Sequence, residues 1–146
     1  MKAEANALRQ VRTAAATPDQ VFEAWTSSGM MERWTHPDPT AGVEVDVDLR
    51  MGGRYSIRLE VDEGHVTAHG TYREIDPPRR LAYTWGWREP HPMRAETLVA
   101  VEFVPAGGGT EIRLSHEGFP TPKDRDGHEE GWKICLERLV DLVSER

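Results

Sequence analysis

From Tyr55 to His116 the apolar residues of this chain recur at every second position in one segment after another, and from Trp132 to Val143 they recur at helical spacing. A strand of period two has one apolar face, and a helix of period near 3.6 has one apolar stripe. A set of half-apolar strands and a single striped helix can bury each other only if the helix lies across the sheet's concave face. The pattern therefore predicts an α+β fold in which a curved antiparallel sheet wraps around a long C-terminal helix.

The segments follow in order. Tyr55, Ile57, Leu59 and Val61 alternate with Ser56, Arg58 and Glu60, and Asp62-Glu63-Gly64 makes a turn. Val66, Ala68, Gly70 and Tyr72 share the next inward face before Asp76-Pro77-Pro78 breaks the strand. Leu81, Tyr83, Trp85 and Trp87 give a third, ended by the proline-rich stretch Glu89-Pro90-His91-Pro92. Thr97, Val99, Val101 and Phe103 are joined through Gly107-Gly108-Gly109 to Ile112, Leu114 and His116. Connections this short favour an antiparallel meander. Upstream, Thr17-Pro18-Asp19-Gln20 combines a hydroxyl cap, a first-turn proline and a Gln that reaches back, which predicts a helix to about Thr26. Ser28 is placed to cap a second helix through Met30, Met31 and Trp34. Trp132, Cys135, Leu136, Leu139, Val140 and Val143 stripe a terminal helix from about Lys123 to Ser144, roughly 30 Å long.

At 146 residues the chain has the usual size of one domain, 1–146, and its 38% apolar content suffices for a core. A net charge of −7 with scattered Lys and Arg argues against nucleic acid as a partner. No apolar run approaches the ~20 residues that span a bilayer, nor is there a signal-peptide core, so no membrane association and a cytoplasmic location are expected. The single Cys135 forbids an internal disulfide and fits a reducing compartment.

Several stretches carry a resemblance: the helix-start proline, Trp34, Asp48-Leu49-Arg50-Met51-Gly52-Gly53-Arg54-Tyr55, Gly70-Thr71-Tyr72-Arg73-Glu74-Ile75, Leu81-Ala82-Tyr83-Thr84-Trp85 and Gly131-Trp132. With them the chain resembles the helix-grip, START-like superfamily called SRPBCC. It is most similar to the branch named for activators of the heat-shock protein 90 ATPase, over a core of about residues 8–143. The resemblance implies two short helices after the first strand. It also implies a cavity between sheet and terminal helix that takes apolar molecules in different members, and it suggests a chaperone partner and a place in the stress response.

Within that frame Trp34, Tyr55, Ile57, Tyr72, Tyr83, Trp85, Val99, Val101, His116, Trp132, Cys135 and Leu136 are the candidate ligand-binding residues. Converging Trp rings suit a pocket wall because each N–H needs a partner, although large rings also simply fill a bent sheet. Tyr55, Tyr72, Tyr83 and His116 are inward polar groups able to orient an apolar ligand. An inward imidazole can also serve as a general base, but a lone His without a neighbouring nucleophile is more often a satisfied core residue, so His116 is taken as a ligand contact. Asp48-Leu49-Arg50 before Gly52-Gly53 lacks the Lys-Ser/Thr end of a phosphate loop and reads as a tight hairpin or bulge. His65 and His69 lie on one outward strand face. His128-Glu129-Glu130-Gly131-Trp132 has Trp where a zinc helix requires its second His, so no metal and no cofactor are expected at either place. Cys135 on the buried stripe reads as packing.

The leading expectation is a binding module for a small apolar or aromatic molecule. The alternatives are an enzyme similar to the polyketide cyclases and aromatases of the superfamily, with His116 and an inward Tyr as acid and base, and a co-chaperone-like protein. In the last of these, outward Leu98 and Val104 would meet another protein or a second copy in a homodimer.

Overall fold

The structure, a computed structural model, describes residues 6–88 and 90–144. The elements are β1 (Ala7–Ala14), α1 (Pro18–Thr26), α2 (Ser28–Met31), β2 (Val43–Val47), β3 (Arg54–Val61), β4 (Gly64–Asp76), β5 (Arg80–Trp87), β6 (Thr97–Ala106), β7 (Gly109–Glu117) and α3 (Pro122–Ser144). The seven strands form one sheet in the order β1-β7-β6-β5-β4-β3-β2, antiparallel at every pairing. The chain leaves edge strand β1, crosses through α1 and α2 to the opposite edge at β2, and meanders back until β7 lies beside β1. The curved sheet holds α3, and the architecture is the helix-grip fold.

The expected local chemistry holds α1 in place. Gln20 N–H donates to Thr17 Oγ1 at 3.2 Å and Thr17 N–H donates to Gln20 Oε1 at 2.9 Å, a reciprocal capping box. Val21, Phe22 and Trp25 then turn to the core. The second helix is shorter than expected. It stops at Met31, its cap position is Ser27 with no side-chain bond, and Ser28 is its first helical residue. Trp34 lies in the turn beyond it, buried by an N–H bond to Ala24 O at 2.9 Å.

Alternation sorts the strand faces as expected for Tyr55, Ile57 and Leu59, for Val99, Val101 and Phe103, and for Ile112, Leu114 and His116, all buried. Val61 departs from it: at the hairpin tip, paired with Gly64, it is 43% exposed. The sheet bends where the β4–β5 register shifts after Tyr72. There a Cβ on Gly70 would stand 1.9 Å from Thr84 O, so only glycine fits. Thr84 Oγ1 accepts from Thr71 N–H at 2.9 Å and Thr84 O accepts from Tyr55 Oη at 2.6 Å, which satisfies polar groups that the irregular register leaves free. The Asp48–Gly53 stretch is the tight β2–β3 turn, with Gly52 at φ +78°.

The C-terminal half of α3 makes the solid part of the core. Leu136, Leu139 and Val143 have no accessible surface, and each such side chain contributes roughly 1.5–3 kcal/mol of burial. The connection between α2 and β2 is tied down on two sides. Arg138 of α3 donates to Arg33 O at 2.8 Å and to His36 O. His36 accepts from Asp38 N–H at Nδ1, so its Nε2–H donates to Glu60 O, 2.7 Å away.

Candidate functional site

The N-terminal half of α3 is built differently from the rest of that helix. Asp124, Gly127, His128, Gly131, Trp132 and Cys135 fall at intervals of three and four, so they share one face. Two of them have no side chain. A Cβ at Gly127 would meet nothing within 4 Å, and one at Gly131 would meet only Pro37 Cγ at 3.9 Å, on the opposite wall. The glycines hold the helix surface back, and a cleft of about 360 Å³ remains between α3 and the sheet.

The other walls come from every layer of the fold. Ile57 and Leu59 of β3 and Tyr83, Trp85 and Trp87 of β5 form its floor. Trp25, Met31, Trp34, Thr35 and Pro37 close one side, and His91 and Lys123 stand at the other with Asp124. All five tryptophans of the chain line this one space. Trp25 meets Trp34 edge to face with centroids 4.8 Å apart and Trp85 meets Trp87 the same way at 5.5 Å, while Trp87 and His91 stack at 4.3 Å with 8° between planes.

Two histidines stand behind and beside these rings, and the hydrogen bonds assign their tautomers. Trp132 Nε1–H donates to His116 Nδ1 at 3.0 Å, so the His116 proton is on Nε2, facing Thr97 Oγ1 at 2.6 Å; the Thr97 hydroxyl in turn donates to Trp85 O at 2.8 Å. Trp87 Nε1–H donates to His128 Nε2 at 2.9 Å, so His128 carries its proton on Nδ1 and donates to Asp124 O at 2.8 Å. Both rings are neutral by this geometry. Burial, then the neighbouring His128, pushes the His116 pKa well below the ordinary imidazole value. Burial lowers His128 as well, opposed by the Asp124 carbonyl and carboxylate. Burial raises the Tyr83 phenol and pushes the Cys135 thiol up to about 12, which keeps both protonated.

Of the residues expected at a site, Trp34, Ile57, Tyr83, Trp85, Trp132 and Cys135 line the cleft. Tyr55 and Tyr72 pack on Tyr83 from the far side, with ring centroids 5.1 and 6.0 Å from it. Val99, Val101 and Leu136 are buried in the core away from the opening. His116 is 0% exposed and sits behind Trp132 and Trp85, with both nitrogens engaged inside the protein. Sequence reasoning missed Trp25, Trp87, His91, Gly127 and His128 as cleft residues. The stripe of α3 pointed to the last two, since 127 and 128 continue the 131, 132, 135 spacing one turn earlier. Glu89 of the proline-rich stretch lies outside the described residues.

Among the described residues, no group of three His, Cys, Asp or Glu side chains is placed to hold a metal ion, and no helix is long and apolar enough to cross a membrane. His65 lies outward, its Nδ1 within 3.1 Å of the Arg58 guanidinium.

An antiparallel sheet gripping a terminal helix, with an aromatic cleft between them, defines an SRPBCC-type helix-grip protein. Residues 15–144 match the family model described as Activator of Hsp90 ATPase homolog 1-like protein, and the chain belongs to that family. The fold is similar to a protein from Chromobacterium violaceum, at 23% identity and TM-score 0.87, covering 95% of this chain and 97% of that one. It is also similar to the AHSA1 protein from Silicibacter pomeroyi, at 26% identity and TM-score 0.82, covering 96% and 99%. A third, the Mll3558 protein from Rhizobium loti, is 28% identical with TM-score 0.79 over 92% and 94%. A comparison with curated proteins gives no match.

Proposed function

We propose that this chain is a cytoplasmic binding module that takes a small apolar, aromatic molecule into the cleft between α3 and the sheet. The observation that carries the reading is the convergence of all five tryptophans on one space of about 360 Å³, within the usual size range of small-molecule sites. Burying a ligand there contributes about 25 cal/mol for each Å² of apolar surface removed from water. The buried, free Cys135 is consistent with a reducing compartment.

Binding is favoured over turnover because the two most buried imidazoles and the thiol beside the space are already committed. His116 and His128 each have both ring nitrogens bonded within the protein, and the Cys135 thiol is held protonated. None is poised to take a substrate proton or attack a substrate carbon.

The test is tryptophan fluorescence titration with fatty acids, flavonoids and polyketide fragments. Wild type is expected to show saturable quenching by at least one class. Gly131→Leu projects a side chain toward Pro37 and removes a helix-interior glycine that costs about 0.8–1 kcal/mol relative to Ala. It should therefore weaken binding at least tenfold while leaving the melting temperature unchanged or higher. Wild type that binds nothing in the panel, or a Gly131→Leu variant that binds normally, would sink the reading.

A further inference from the structure

The tryptophans around the cleft have one N–H each, and four of the five use it inside the protein. Trp25 donates to Tyr83 Oη at 3.0 Å, Trp34 to Ala24 O, Trp87 to His128 Nε2 and Trp132 to His116 Nδ1. Trp85 is the exception: its Nε1 is shielded from water and has no hydrogen-bond partner among the described residues. A buried donor left unpaired is unfavourable, and native structures hold few of them.

Tyr83, two residues earlier on β5 and on the same face, is in a related state. Its oxygen accepts from Trp25, yet among the described residues its own hydrogen meets no acceptor. The phenol stays protonated in its buried place, so that hydrogen remains available. The imidazole acceptor beside the floor is, in contrast, already in use. His128 Nε2 takes the Trp87 N–H, and the Thr35 hydroxyl spends its hydrogen on Met31 O, so it adds no free donor to the space. At the rim Lys123 and Asp124 provide one charge of each sign, so no net charge there favours an ion. The floor of the cleft thus carries two unspent donors on a wall of flat rings, while the one carboxylate, Asp124, stands at the rim.

We infer that the molecule held in this cleft is a neutral aromatic ketone or quinone whose carbonyl oxygen accepts from the Tyr83 hydroxyl and the Trp85 indole N–H. The inference rests on the cleft being a ligand site and adds the polarity of the ligand. A hydrocarbon of the same shape leaves both donors unpaired, and an amine adds donors to donors. A site built to give hydrogen bonds rejects an analogue that lacks the acceptor much more strongly than it rejects a change of one methylene. Because the Trp85 N–H is shielded from water, the oxygen reaches it by a small shift of the indole as the ligand enters.

The experiment compares 2-acetylnaphthalene with 2-ethylnaphthalene, which share a shape and differ in one oxygen, by titration calorimetry on the full chain. The ketone is expected to bind wild type at least tenfold more tightly, and Trp85→Phe should reduce that preference severalfold. Tyr83→Phe should reduce it too, but it also strands the Trp25 N–H, so melting curves accompany both variants and Trp85→Phe decides. Equal binding of the two naphthalenes to wild type would overturn the carbonyl assignment while leaving an apolar-ligand cleft intact. A ketone preference undiminished in a folded Trp85→Phe variant would overturn the role of these donors. Failure of both naphthalenes, together with failure of the fluorescence panel, would remove the cleft reading itself.

Discussion

His116 bonds Trp132 of α3 and Thr97 of β6, and Thr97 in turn bonds Trp85 O of β5, so one imidazole helps join three elements at a point with no access to water. Its work is structural, and it acts on the cleft only by fixing the rings of Trp132 and Trp85 from behind. Truncation removes a buried ring, strands the Trp132 N–H donor, and takes from the Thr97 oxygen the proton it accepts, while the Thr97 hydroxyl keeps its own bond to Trp85 O. His116→Ala should therefore cost about 3 kcal/mol or more, from the cavity and the unpaired groups together. Urea denaturation checks this against His65→Ala, an outward strand position where less than about 0.5 kcal/mol is expected. Equal midpoints for the two variants would mean that the His116 network contributes nothing.

At the level of elements, the cleft depends on how α3 is divided. Its first half presents Gly127 and Gly131 to an open space, and its second half presents Leu136, Leu139 and Val143 to a filled one. Arg138, within the second half, fastens the α2–β2 connection and with it the wall made by Trp34, Thr35 and Pro37. Hydrogen bonds from a charged donor contribute about 1.5–3 kcal/mol each when buried, less where water competes. Arg138→Met keeps the stem and loses both bonds, so a loss of about 1–3 kcal/mol is expected. Hydrogen exchange should show faster opening of the 33–37 amides without loss of the β6–β7 ladder; unchanged exchange in that segment would refute the tether. The strands from β3 to β7, the short α1 and the long α3 were legible because each has one clean apolar period. β1 was not placed because its outward Val11 is 55% exposed and only Leu8 and Ala14 are buried, which leaves almost no alternation to read. β2 does show it, in Val43, Val45 and Val47 against Glu44 and Asp46, but over only five residues. For the site, sequence identifies which face of a strand is inward but not where the sheet stops being filled. Tyr55, Val99, Val101 and His116 share the inward sense of Trp85 and Tyr83 and still lie off the opening, because the bend at Gly70 and the crossing of α3 decide which part of that face stays open.

For the molecule as a whole, three imidazoles on three separate segments are held neutral around one aromatic cluster: His116 on β7, His128 on α3 and His91 between β5 and β6. All three have pKa values lowered chiefly by burial; His128 further lowers His116 and His91, whereas Asp124 opposes the shift at His128 and His91 and Arg94 adds to it at His91. An unfolded chain takes up these protons near pH 6.5 while the folded one resists, so below that pH the unfolded state binds more protons and stability falls as pH falls. The loss begins at about pH 6.5 and continues through each lowered folded pKa, at about 1.4 kcal/mol per pH unit for every ring that stays neutral. General charge repulsion works the other way over the same range, because protonation brings a molecule of net charge −7 closer to neutrality. A decline in the urea midpoint between pH 6.5 and 5, with a flat region above pH 7, is therefore a histidine effect. In His128→Gln the amide oxygen can accept from Trp87 and the amide nitrogen can donate to Asp124 O, so the contacts persist and one titrating group is gone. That variant should show a shallower acid limb than wild type with an unchanged midpoint at pH 8, and an identical slope would exclude His128 from the proton balance of folding.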